Sequence, residues 1–286
     1  MHGLGDNIYQ RAVVRALEGI HYLTTPWPQL YADLPNIRCV RPATRLRTQS
    51  KNMQRAWPWA KAPASLAPRK ADYVRHPGTM LEGLCSAYGV SLPQVTFDLP
   101  TFANYGGVGG SQPYVVIRPG TIRQEWRADG RNPKAEYLDA AARRAVAFGY
   151  RVISIADVAW PHEWIDGQPP YADVRFHSGE LNVEQCLELV RGAAAVIGGV
   201  GWLVPAAVAY HVPMLLLYGG WGGPNGPHRI FDPRMDISTI RQVTPDRFCM
   251  CRDPLHDCDK TITNLDKYLD EFFTGLPSQR APGLAA

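Results

Sequence analysis

The 286-residue sequence predicts an α/β protein made of two Rossmann-like halves. Three observations carry this expectation. Apolar runs of strand length, at 114–117, 193–197 and 212–218, alternate with amphipathic or alanine-rich helical stretches, as in parallel strands covered on both faces. The alternation occurs on both sides of YGGVGGSQ at 105–112, which reads as a linker. Glycine turns follow several of the strands, where a ligand can approach the backbone. The expected organisation is a first half at 1–104, the linker at 105–112, a second half at 113–275 and a tail at 276–286, with a ligand cleft between the carboxyl edges of the two sheets.

The elements are justified in order. MHGLGDN is a glycine turn with almost no strand before it, so the first strand is either dispensed with or lies upstream. Helical periodicity then runs over 7–21, with Ile8, Ala12, Val13, Leu17 and Ile20 on one face and Arg11, Arg15 and Glu18 elsewhere. Short strands are expected at 22–24 and 37–40, loop or irregular helix over 41–71, a helix over 78–88 closed by Gly89, and a strand at 95–97. Beyond the linker come the strand 114–117, a helix over 134–148 stopped by Gly149, a strand at 151–155, a loop over 158–173 and a helix over 183–192. Next is AAAVIGGVGWLVPAAVAYHVPMLLLYGGWGGP at 193–224: strand, glycine turn, buried helix, strand, glycine turn. A loop with clustered cysteines and an amphipathic helix over 264–274 end the ordered part.

Composition narrows the function. No apolar run approaches the ~20 residues of a membrane helix, and no charged-then-apolar leader is evident. Six cysteines in a chain of this length are not a disulfide framework, so a reducing cytoplasm is the expected setting. The net charge is only +4, but residues 35–76 hold ten Lys/Arg against the single acid Asp72. Arg45, Arg47, Lys51 and Arg55 in this run are candidates for binding an anionic partner, a phosphorylated glycan or a nucleic acid. Trp57 and Trp59 either stack on bases or sugars or anchor the loop to the body.

The second half offers three anion contacts. Gly198, Gly199 and Gly201 precede a helix starting at Trp202, whose N-terminus suits a phosphate. Arg118 and Thr121 follow a strand end, with Arg123, Arg127, Arg131 and Lys134 close behind; surface salt bridges to Glu125 or Asp129 are the alternative for any one of these arginines. The third is the turn from Gly219 to Gly226. Asp6, ahead of the first helix, is either a base facing this site or simply the helix cap. Cys249, Cys251, His256 and Cys258 offer four soft or borderline ligands within ten residues, the number a tetrahedral structural zinc needs; buried thiols or a redox pair are the alternatives.

The arrangement resembles the GT-B glycosyltransferases, in particular family 9, the ADP-heptose:lipopolysaccharide heptosyltransferases. Gly3-Leu-Gly-Asp6 before a helix matches the family's N-terminal Gly-Asp turn; YVVIRPGT at 114–121 matches the strand and loop that open the donor half; and 182–219 matches its helix, strand, glycine turn, alanine-rich helix and "VP" strand. The family's usual Asp-Ser-Gly-x-x-His is replaced by GVGWLV at 199–204. The resemblance implies an inverting transferase that moves a sugar from a nucleotide-diphosphate sugar to a hydroxyl of an anionic acceptor, a lipopolysaccharide core or related glycan. Asp6 would be the base. Arg118, Thr121, Arg123, Gly198, Gly199, Gly201, Trp202 and Gly219 would hold the donor, with Glu180 at its ribose or base unless it is merely an exposed acid. No cofactor would be needed for catalysis, because backbone N–H groups and arginines meet the charge of the leaving diphosphate. Transfer to hydroxylated bases of DNA, nucleotide-sugar epimerisation and non-catalytic polyanion binding are the alternatives.

Overall fold

The structure is a computed structural model that describes residues 3–74, 76–102 and 107–276. The expected boundary between 104 and 105 and the tail beyond 276 lie outside the described residues.

The first half is a reduced α/β layer. Helix α1 (Leu4–Val14) is followed by β1 (His21–Thr24) and β2 (Ile37–Val40), which pair in parallel with His21 opposite Ile37. The short helix α2 (Arg47–Asn52) lies within the basic segment, and α3 (Met80–Tyr88) closes the half. The expected strand at 95–97 is absent. Helix α1 starts earlier and stops sooner than its periodicity predicts. The Asp6 carboxylate accepts the Gly3 N–H at 3.0 Å and so closes the first turn at Gly3. The chain leaves the helix at Arg15, so Ile20 is not on its apolar face but is 59% exposed. Arg11, expected away from that face, is fully buried. Its guanidinium donates to Asp33 at 2.8 Å, to the Leu30 carbonyl at 2.6 Å and to Asp98 at 3.2 Å. Helix α3 meets expectation: Thr79 Oγ1 accepts the Glu82 N–H at 3.1 Å, and Gly89 ends the helix at φ 66°.

The second half contains a parallel six-stranded sheet. Its elements in chain order are β3 (Tyr114–Arg118), β4 (Thr121–Arg123), α4 (Ala135–Ala147), β5 (Arg151–Ile155), β6 (Glu163–Ile165), β7 (Val174–Phe176), α5 (Val183–Arg191), β8 (Ala195–Gly198), α6 (Leu203–Tyr210), β9 (Met214–Leu217), α7 (Gly222–Asn225), α8 (Pro227–Ile230), β10 (Ile240–Val243) and α9 (Leu265–Thr274). The sheet order is β10-β9-β8-β3-β5-β7, and β4 pairs antiparallel with β6 beside it. Strands β6 and β10 fall where the sequence reads as loop, and β4 and β7 in stretches to which it assigns no element. β7 and β10 are the edges, where alternating polar residues hide the strand signal.

The sheet's two faces bury different clusters. Val115 and Ile117 of β3 pack with α4 and α9 through Ala141, Ala145 and Phe273. Leu276, just past α9, joins the same cluster. Val116, on the opposite face, belongs to a larger cluster that also holds Leu203 and Ala207 of α6 and Ile8 and Ala12 of α1. One apolar core therefore runs through both halves. No helix among the described residues is long and apolar enough to cross a membrane.

Candidate active site

Asp6 sits where α1 meets α6. Gly5 makes that meeting possible, since a Cβ there would lie 3.1 Å from the Cα of Trp202, the residue that precedes α6. Both helices thus point their N-termini at one place, and each N-terminus favours negative charge. The Asp6 carboxylate is engaged at both oxygens: Oδ2 accepts from Gly3, and Oδ1 accepts from the Tyr73 hydroxyl at 2.6 Å. Asp6 is therefore a helix cap and also one member of a carboxylate–phenol pair. Burial, then the negative charge of Asp6 and its hydrogen bond, push the Tyr73 hydroxyl well above its usual range. Tyr73 keeps its proton and holds the carboxylate in one orientation.

Three arginines cluster beside this site, and one of them, Arg131, interacts electrostatically with both Asp6 and Tyr73. Arg118 leaves the carboxyl end of β3 and lies against the glycine turn, with its Nη1 3.6 Å from where a Gly201 side chain would begin. Its other terminal nitrogen reaches Thr121 Oγ1 at 3.5 Å, at the limit of a hydrogen bond. Arg123 on β4 donates to the buried Glu163 at 2.9 Å. Arg131 ends a 3-10 turn (Asp129–Arg131) and rests over the Trp126 ring at 5.2 Å. Among the described residues neither Arg118 nor Arg131 has a carboxylate hydrogen-bond partner. Burial, followed by repulsion from Arg123, pushes Arg118 down to about 10, with Glu163 opposing. Burial, followed by repulsion from Arg118 and Arg123, pushes Arg131 down to about 10, with Asp6 and Tyr73 opposing. The guanidiniums stay charged at neutral pH. The downward shifts express burial first and crowded like charge second, and a bound anion would offset both.

The remaining donor candidates divide. Gly198 and Gly199 are packed tightly, the first against the Arg118 carbonyl and the second against Pro133, so the turn lies close to the arginines. Gly219 donates its N–H to the Arg131 carbonyl at 3.3 Å and thus buttresses Arg131. Glu180 is exposed and accepts only the Ser178 N–H, at 2.8 Å, among the described residues. Arg127 pairs with Asp129, and Lys134 lies over the Tyr137 ring at 5.5 Å, so both leave the cluster.

The basic segment is docked rather than open. Arg47 bonds Asp157 at 3.1 Å and Glu163 at 3.2 Å, and Lys51 bonds Asp157 at 3.1 Å. These pairs tie α2 to the second half. Arg45 and Arg55 are exposed and have no side-chain partner among the described residues. Trp57 and Trp59 pack against the core, with Trp59 Nε1 donating to the Gln54 carbonyl at 3.1 Å, so they anchor the loop. An open depression of about 570 Å³ between Val40 and Pro68 includes none of the Asp6–arginine residues.

Tyr73, Arg131 and Glu163 are the site residues that sequence reasoning missed or underweighted. Arg131 was one of several cations after β3, whereas Tyr73 and Glu163 lie in stretches without periodicity. The four metal-ligand candidates do come together: the donor atoms of Cys249, Cys251, His256 and Cys258 all lie within 4.8 Å of one another.

No family model matches the chain, and no curated protein matches it. Solved structures do. One is TibC, a dodecameric iron-containing heptosyltransferase from enterotoxigenic E. coli, in complex with ADP-D-beta-D-heptose (17% identity, TM-score 0.60, 98% of this chain and 77% of that one). Another is the E. coli ADP-heptose lipopolysaccharide heptosyltransferase II (13%, TM-score 0.58, 96% and 97%). A third is a family 9 glycosyl transferase from Veillonella parvula (11%, TM-score 0.56, 96% and 95%). The similarity spans both halves, and the chain carries a family 9 heptosyltransferase-like fold.

Proposed function

We propose that the chain is an inverting glycosyltransferase of GT-B type that uses a nucleotide-diphosphate sugar and an anionic glycan acceptor, such as a phosphorylated lipopolysaccharide core, in the cytoplasm. The carrying observation is that the hydrogen-bonded Asp6–Tyr73 pair, at the meeting point of α1 and α6, interacts with Arg131, while Arg118 lies on the adjoining glycine turn and neither arginine has a carboxylate hydrogen-bond partner among the described residues. Likeness to a heptosyltransferase whose structure holds ADP-D-beta-D-heptose supports the donor class.

In this reading the two halves border a cleft. The donor diphosphate lies against the glycine turn, with Arg118 and Arg131 on its oxygens. Asp6 takes the proton of the acceptor hydroxyl as its oxygen attacks the anomeric carbon. The new C–O bond forms on the face opposite the leaving group, and the old C–O bond gives its electron pair to the departing nucleoside diphosphate. The arginines stabilise that charge as it develops.

The test is Asp6→Asn, which retains the Gly3 and Tyr73 contacts as far as an amide oxygen can. It should bind nucleoside diphosphate normally and lose sugar transfer by at least about a hundredfold. Transfer at the parent rate would remove Asp6 as the base.

A further inference from the structure

The long irregular segment between β10 and α9, from 244 to 264, has no strand or helix to hold it, and Met250 and Leu255 within it are exposed. Asp246 closes its ends by accepting from the Thr263 N–H at 3.1 Å, and four side chains gather in its middle. Cys249 Sγ lies 3.6 Å from His256 Nδ1, which is 3.3 Å from Cys258 Sγ, and Cys251 Sγ is 3.5 Å from Cys258 Sγ. A tetrahedral ion with metal–sulfur bonds of about 2.3 Å and metal–nitrogen bonds of about 2.0 Å needs ligand edges of about 3.5–3.8 Å. All the cysteines are free thiols.

This knot is joined to the anion site by backbone. The Pro254 carbonyl accepts the Gly130 N–H at 2.8 Å, and the Gly130 carbonyl accepts the Gly220 N–H at 2.6 Å. The Cys249 and Cys251 carbonyls accept the N–H groups of Gly222 at 2.8 Å and Gly223 at 3.1 Å. Lys260 donates to the Asp129 carbonyl at 3.1 Å. Gly220 leaves no room for a side chain beside Cys258, so the 219–226 turn lies directly on the knot. The 3-10 turn that carries Arg131 is therefore held on one side by the 219–226 turn and on the other by the cysteine loop.

We propose that Cys249, Cys251, His256 and Cys258 bind one divalent ion of the zinc class, and that this ion fixes Arg131 for anion binding, so that diphosphate affinity depends on metal occupancy. The thiolates bind as Cys–S⁻ and release their protons to solvent. The ion touches none of the Asp6, Tyr73 or Arg118 side chains and acts by positioning. The claim rests on the proposed donor site, but its test separates the two.

The full-length chain, purified under reducing conditions, should contain one metal per chain by elemental analysis. A colourless protein indicates zinc, and a visible charge-transfer absorption indicates iron. Cys251→Ser and Cys258→Ser should lose the metal, whereas Cys39→Ala should keep it. Calorimetry with ADP and with inorganic pyrophosphate should show at least about tenfold weaker binding after chelation, restored by adding zinc. Arg131→Gln should bind equally weakly with and without metal. Circular dichroism and thermal melts of the chelated protein show whether the fold persists. If the chelated chain unfolds, the cobalt-substituted chain carries the test: its visible d–d bands should shift when ADP binds and stay fixed in Arg131→Gln. Metal-free native protein, a Cys251–Cys258 disulfide, or affinity indifferent to chelation would overturn the proposal. Metal-dependent pyrophosphate binding without nucleotide binding would uphold it and remove the transferase reading.

Discussion

Gly5 of the first half and Trp202 of the second meet at backbone distance: a Cβ on Gly5 would stand 3.1 Å from the Trp202 Cα. That is contact with main chain, which cannot rotate aside. Gly5→Val should lower unfolding free energy by about 1–3 kcal/mol in urea titrations. It should also reduce transfer more than donor binding, because it moves Asp6 relative to the arginines. Unchanged stability would show that the helices do not meet so closely.

Arg131→Gln separates site function from stability. Arg131 is destabilised in place by burial and by repulsion from Arg118 and Arg123. Removing its charge should raise the melting temperature of the ligand-free protein, since a base pushed down on folding costs stability while it is charged. The same change should weaken ADP binding by about ten- to a hundredfold, the worth of a charge-assisted contact. Differential scanning calorimetry with and without ADP reads both effects. A melting point that falls without ligand would contradict the crowded-charge account.

Asp232 gives an acid dependence of known sign. Its carboxylate accepts from Arg234 at 2.6 Å and from the Thr79 hydroxyl at 2.5 Å, tying the cap of α3 to the second half. Burial raises its pKa, but the hydrogen bonds from Arg234 and Thr79 outweigh burial and hold it at about 2, below the usual 3.8. A depressed carboxylate stabilises the fold above its unfolded pKa, and that stability is lost as pH falls from about 4 to about 2. The contribution is about 2 kcal/mol at neutral pH. Asp232→Asn should lose that amount at pH 6 and flatten the stability curve below pH 4, measured by denaturant titration at a series of pH values.

The basic segment makes two separable predictions. Arg47→Glu would set a carboxylate beside Asp157 and the buried Glu163 and should destabilise the chain by more than about 2 kcal/mol. Arg45→Glu and Arg55→Glu should leave stability within about 0.5 kcal/mol and weaken binding of an anionic acceptor. Salt-sensitive duplex binding, lost in these two variants, would favour DNA as acceptor. Its absence at low salt would favour the glycan.

The second half was legible because its central strands are buried on both faces and read as unbroken apolar runs. β8, α6 and β9 fall within two residues of expectation at each end. The edge strands were hidden because Arg241 and Gln242 in β10 and Arg175 in β7 interrupt the pattern. Asp6 was recognisable as a cap or a base, but its neighbour was not. Tyr73 lies 67 positions away, and the contact depends on how α1 and the segment before α3 pack. Likewise Arg47 and Lys51 read as open cations because their acids, Asp157 and Glu163, come from the other half. Local pattern reveals elements and residue types; it does not reveal which charges are already neutralised.

The apolar cluster that unites Ile8 and Ala12 with Leu203 and Ala207 also constrains motion. Hinging the halves apart would wet these side chains, at about 25 cal/mol for each Å² uncovered. Wide domain opening is thereby disfavoured, and the chain should melt as one cooperative unit with a single calorimetric peak. Traffic in and out of the site then falls to local rearrangement around Arg131 and Tyr73, so turnover would be paced by side chains and short loops and not by a swing of one half against the other.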